Sequence, residues 1–153
     1  MNRAQTYLFL KMFEKGIALN REIYADFLQL DPSGNNKPTI NVAVNLLSCF
    51  VNEKMINEHS VEARTLARKT VPVARRLLGT EYDGFLQLRS LEALALFLPD
   101  DAALDDVRLA VEILEETTRT SRQVMGSSHQ LTKHRAELLA QARFRLSLFP
   151  PRA

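Results

Sequence analysis

The sequence predicts an all-α protein, a short α-solenoid of about six helices in which antiparallel helix hairpins stack side by side. Three observations predict it. First, Arg75-Arg76-Leu77-Leu78-Gly79-Thr80-Glu81-Tyr82 returns as Arg122-Gln123-Val124-Met125-Gly126-Ser127-Ser128-His129, with the glycines 47 positions apart. Recurrence at a period of about 20 to 50 residues marks stacked repeats. Second, Leu, Ala, Glu and Arg are abundant, and only 5 glycines and 6 prolines occur in 153 residues. These are the compositions of helices, not of strands and tight turns. Third, apolar residues recur three and four positions apart along nearly the whole chain.

The first helix is expected over about Ala4 to Leu30, where Phe9, Met12, Phe13, Ile17, Ile23, Tyr24, Phe27 and Leu30 fall at helical spacings. Gly16 leaves open one long helix or two. Asp31-Pro32-Ser33-Gly34-Asn35-Asn36 breaks the pattern. The second helix starts near Pro38, which suits a first turn, and runs through Leu46 and Phe50 to about Lys54. Asn57-Glu58-His59-Ser60 reads as a turn, with Ser60 capping a third helix over about Val61 to Leu78. Pro72 lies inside that helix, but the apolar phase continues past it, so a kink is expected and not an end.

The fourth helix, about Gly84 to Leu98, is apolar nearly all round, which places it at the centre. Pro99-Asp100-Asp101 ends it and caps the fifth, about Ala102 to Met125, with Asp105 and Asp106 at the positive end of its dipole. Ser128 caps a sixth, about His129 to Leu148, and residues 150–153 form a disordered tail. The even helices open on Thr39-Ile40, Phe85-Leu86 and Thr132-Lys133, 46 and 47 positions apart. The chain is thus one domain over 1–149, in units of about 4–31, 38–79, 84–126 and 129–148, the outer two being half repeats.

The net charge of +2 is too small to argue for nucleic acid or an anionic membrane. The basic group Arg64, Arg68, Lys69, Arg75 and Arg76 reads as a solvated helix face. No apolar run reaches the length of a membrane span, and Lys11 interrupts the Tyr7–Leu10 patch, so neither a span nor a signal peptide is expected. The single cysteine, Cys49, reads as a small core hydrophobe and fits a reducing, cytoplasmic setting. His129, His134 and Glu137 do not make a metal site, because the histidines are five apart and no second cluster supplies further ligands. Asp100, Asp101, Asp105 and Asp106 are explained by a helix start. No catalytic set and no cofactor site are expected.

The repeating segments resemble tetratricopeptide repeats of the long, kinesin-light-chain-like type. Asn45-Leu46-Leu47-Ser48-Cys49-Phe50 is similar to the family's Asn-Leu-Ala helix, with Leu47 where alanine is usual. Val61 through Gly79 resembles the second helix with its Leu-Gly end, and Ala103 through His129 repeats it. Leu138-Leu139-Ala140 is similar to Asn-Leu-Ala again. The likeness covers about Pro38 to Phe144; the period is long for the family and the His-Pro turn is absent.

The resemblance implies a right-handed superhelix that binds a peptide or protein surface on the first helix of each pair. Carried over position by position, the binding residues are Asn41, Asn45, Ser48 and Asn52, then Gln87 and Ser90, then His134, Glu137, Gln141 and Arg145. Asparagines four apart share a helix face and offer donor and acceptor together, enough to hold an extended backbone. The expected function is a non-catalytic scaffold with a protein or peptide partner. The alternative is a structural subunit that self-associates or docks through its terminal helices, Phe144 to Phe149 above all.

Overall fold

The structure is a computed structural model and describes residues 3–151. The last two positions of the expected tail, Arg152 and Ala153, lie outside the described residues, as do Met1 and Asn2. The elements are α1 (Arg3–Leu30), α2 (Lys37–Phe50), α3 (Ile56–Leu78), α4 (Asp83–Phe97), α5 (Leu104–Met125) and α6 (Gln130–Ser147). No strand occurs among the described residues.

Each helix packs on the next in the chain, as loops of four to six residues dictate for antiparallel neighbours. In addition α2 packs on α4, and α4 on α6. The backbone of α3 comes comparably close to neither α1 nor α5. The backbones of the even-numbered helices therefore lie close together, whereas the odd-numbered helices reach one another through side chains. As its all-round apolar surface predicts, α4 is central: it meets α2, α3, α5 and α6.

The core falls into two clusters that share α4. One gathers Ile17, Leu47, Phe50, Ile56, Ala67 and Leu88; the other gathers Phe97, Val107, Leu114, Leu138 and Ala142. Leu94 and Leu98 pack against both.

The internal repeat is visible in backbone angles. Gly79 closes α3 with φ 82 and ψ 161, and Gly126 closes α5 with φ 88 and ψ 160. Their N–H groups donate to the carbonyls of Arg75 and Arg122. Each corner then runs through an extended residue, Tyr82 or His129, into a helix that starts four residues after its glycine. The first positions of the even helices keep the same register, since Thr39, Phe85 and Thr132 are all buried.

The glycine conformation is one that side-chain-bearing residues adopt only under strain. A Cβ added at Gly79 or Gly126 would meet nothing within 4 Å, so the strain is the backbone's own. Gly79→Ala and Gly126→Ala are each expected to cost about 1–2 kcal/mol in denaturant unfolding. The two losses should be alike. A marked inequality would show that the corners are not equivalent.

Several boundaries differ from the sequence reading. Gly16 does not divide α1. α2 ends at Phe50, and α3 begins at Ile56, not Val61. The reason is burial: Val51, Met55 and Ile56 are all apolar and inside, and the Asn52 carbonyl accepts both the Met55 and the Ile56 N–H. The polar run Asn57 to Ser60 is thus helical, with Asn57 and His59 engaged in tertiary contacts. Asn57 exchanges two hydrogen bonds with Asp100, at 3.1 and 2.9 Å, and His59 stacks on Phe50 at 5.1 Å.

α3 continues past Pro72 to Leu78, so the proline does not end it. α5 has no side-chain cap; its N-cap is Ala103, not the aspartates before it. α6 is capped by His129, whose Nδ1 accepts the Leu131 N–H at 3.2 Å, and not by Ser128. Along α1 only Ile17 of the expected stripe is buried, while Met12 and Leu30 are exposed, because α2 is the one helix packed on it. Cys49 is half-buried, and that burial pushes its thiol up.

The edge where the odd helices stand apart is bridged by side chains. Arg21 of α1 meets Glu62 of α3 at 2.6 Å, and Arg64 of α3 meets Asp106 of α5 at 3.4 Å. Burial alone would raise the Glu62 carboxyl, but hydrogen bonds from Arg21 and His59 outweigh it and hold it below the usual range. Arg89 of α4 pairs with Glu92 one turn along the same helix and with Glu116 of α5, and burial pushes the Glu92 carboxyl up despite the Arg89 partner.

Candidate functional site

Between α4 and α6 lies a groove of about 330 Å³. Leu91, Leu94, Leu131 and Leu138 give it an apolar lining, with Gln87, Ser90, His134 and the Asp83–Arg135 pair as its polar groups. The geometry follows from the repeat. Gln87 and His134 are 47 positions apart, at matching heights on adjacent helices, and both are exposed. Asn41 holds the corresponding place on α2, 46 positions before Gln87. The even helices thus carry a row of exposed hydrogen-bonding side chains, Asn41, Gln87 and His134.

The remaining expected binding residues divide. Asn45 and Ser48 are exposed on α2, and Glu137 and Gln141 are exposed on α6, outside the groove. The Ser48 hydroxyl donates to the Val44 carbonyl at 2.8 Å, and that of Ser90 donates to Leu86 at 3.0 Å. Each oxygen keeps acceptor capacity. Ser90 itself is buried in the groove floor.

Two expected residues do structural work instead. Asn52 lies beyond the end of α2, in the turn to α3, where its side chain accepts the Lys54 N–H at 3.0 Å. A side chain bonded to the backbone two residues on sets a turn and is not presented along a helix face. Arg145 donates to the carbonyls of Pro99 and Asp100, at 3.2 and 2.8 Å, and so ties the end of α6 to the loop between α4 and α5.

The most consequential side chain of the groove is one the sequence reading passed over. Arg135 is only 3% exposed. It donates to the Asp83 carboxylate and to the Ser121 hydroxyl, each at 2.7 Å, and so links α6 to the start of α4 and to α5. The signal was present: positions 131, 135 and 138 follow a core-facing spacing, and a charged residue at such a position needs a partner.

A second groove, of about 400 Å³, opens on the other edge between α1 and α3. Its floor is Leu46, Phe50 and Leu66, and the Arg21–Glu62 pair and Tyr24 wall it. Lys69, also in its lining, sits 5.9 Å from the Tyr24 ring. Among the described residues no group of three or more His, Cys, Asp or Glu side chains is placed to hold a metal ion. No helix among them is long and apolar enough to cross a membrane.

The fold defines a class: an all-helical chain of six helices, each packed on its sequence neighbours, with a groove where two even-numbered helices meet. Compared with protein-family models, curated proteins and solved structures, the chain matches none of them.

Proposed function

We propose that this chain is a non-catalytic scaffold of tetratricopeptide type, a right-handed stack of helix pairs that binds an extended peptide or a protein surface across its even helices. One observation carries the reading: the exposed row Asn41, Gln87 and His134 recurs with the fold's own period beside the leucine-lined α4/α6 groove. A backbone laid along the row would find a donor or an acceptor on each helix in turn, while the groove takes one apolar side chain. Such recognition depends on few fixed polar contacts and a preformed surface. A cytoplasmic setting belongs to the same proposal.

The test is selection of ligands from a random-peptide display library, followed by mapping of backbone amide shifts on the free protein. Shifts are expected to centre on Gln87, Leu94 and His134. Gln87→Ala with His134→Ala should weaken the selected peptide about tenfold, or about 1.4 kcal/mol, and leave thermal unfolding unchanged because both side chains are exposed. Asn41→Ala with Asn45→Ala reports whether the bound chain extends onto α2. A library that yields no ligand, or shifts centred on Tyr24 and Val61 between α1 and α3, would overturn the assignment.

A further inference from the structure

The outer helices expose apolar side chains that the inner ones bury. Ala93 and Phe97 of α4 are buried in the second core cluster. Their counterparts 47 positions on, Ala140 and Phe144 of α6, are exposed, Phe144 to 67%. α6 thus repeats part of the face with which α4 receives its successors. At the opposite end, α1 exposes Leu8 to 62%, Met12 to 69% and Leu19 to 57%.

The two faces match when one is read backwards. On α6, positions 144, 140, 137 and 133 are exposed Phe, Ala, Glu and Lys. On α1, positions 8, 12, 15 and 19 are exposed Leu, Met, Lys and Leu. Both follow steps of four, three and four, the spacing of a single helix stripe. In antiparallel alignment Phe144 falls on Leu8, Ala140 on Met12, and Glu137 on Lys15. Lys133 falls on Leu19, where its stem covers the leucine and its ammonium reaches Glu22, one turn further along α1. A parallel alignment sets Lys133 against Leu8 and Phe144 against Leu19, with Met12 against Glu137, so the charges lose their partners. Antiparallel is also how helices consecutive in the chain run.

We propose that copies of this chain associate head to tail, the outer face of α6 in one copy packing antiparallel on the outer face of α1 in the next. The contact is heterologous, so it builds an open row or a closed ring and not a two-fold dimer. It uses neither the α4/α6 groove nor its polar row, and it stands or falls separately from the peptide-binding reading.

Sedimentation of the full chain over a concentration series tests it. The average mass is expected to rise beyond that of a dimer. Met12→Glu and Phe144→Glu should each abolish growth, raising the dissociation constant about thirtyfold or more. Both side chains face solvent, so circular dichroism of each variant should match the parent. Mixed at equal concentration, the two variants should form a 1:1 heterodimer and stop there, because each retains one intact end. As a milder pair, Lys133→Glu and Glu22→Lys should each weaken association and together restore it. A chain that stays monomeric at every concentration overturns the proposal. So does a Met12→Glu variant that still dimerises while Phe144→Glu does not, since that result assigns an α6-to-α6 contact.

Discussion

Leu114→Ala is expected to lower the free energy of unfolding by about 3–4 kcal/mol. Leu114 is fully buried, at 0% exposure, in the middle of α5. It sits in the second core cluster, among Val107, Phe97 and Leu138. Removing its side chain forfeits burial, and the rigid helices around it cannot close the gap. Leu88→Ala, also at 0%, should cost a similar amount from the first cluster. The informative comparison is the shape of the two denaturant transitions. The clusters communicate through one helix, α4, by way of Leu94 and Leu98. If that link is strong, both variants unfold in one step, and helix content and near-ultraviolet signals coincide. In a quasi-one-dimensional stack a weak link lets the damaged half melt first. Leu114→Ala would then show an early phase whose amide protection is lost from α5 and α6 and retained in α2 and α3.

The second large effect concerns the Asp83–Arg135 pair. Asp83→Ala is expected to cost about 3 kcal/mol, because it leaves the Arg135 guanidinium buried with only Ser121 for company. Arg135→Met should cost less, about 1 kcal/mol. Methionine refills most of the space, Asp83 is half exposed and can turn to water, and only the Ser121 hydroxyl is stranded. The double variant should resemble Arg135→Met, so it would be more stable than Asp83→Ala alone. Urea titration of the four proteins decides this. A double variant as unstable as the sum of the singles would mean that the pair is not coupled and that Arg135 is held by packing alone.

Much of the fold was legible in the residues. The two Leu-Gly or Met-Gly ends mark corners that agree within a few degrees, because glycine alone tolerates that backbone. The preponderance of apolar residues from Phe85 to Phe97 places α4 at the centre by hydropathy. The start of α3 was not legible. Local polarity at Asn57 to Ser60 argues for a turn, and only distant partners, Asp100 and Phe50, make helix the better state. The caps of α5 and α6 were misread for a related reason: several polar residues stand near each start, and the angle at which the chain enters the helix selects among them.

The candidate site was partly legible, in the placement of its residues. The row Asn41, Gln87 and His134 follows from the period, which is a sequence quantity. The fates of Asn52 and Arg145 depend on which backbone groups the loops bring within reach, and no periodicity encodes that. Arg135 stands at a core-facing position, but a charged side chain ordinarily lies in solvent, and only the Asp83 and Ser121 partners make its burial favourable.

The spaces on either side of α3, spanned by Arg21–Glu62 and Arg64–Asp106, give the molecule two unlike edges. Along one, the even helices lie close enough for their backbones to pack, and the Arg135 guanidinium of the ion pair between α4 and α6 is buried, so that edge responds little to ions. Along the other, charges reach over water-accessible gaps, where mobile ions weaken them over about 8 Å at physiological strength. Added salt is therefore expected to weaken Arg21–Glu62 and Arg64–Asp106 while the contacts that join α2, α4 and α6 hold and every helix stays intact.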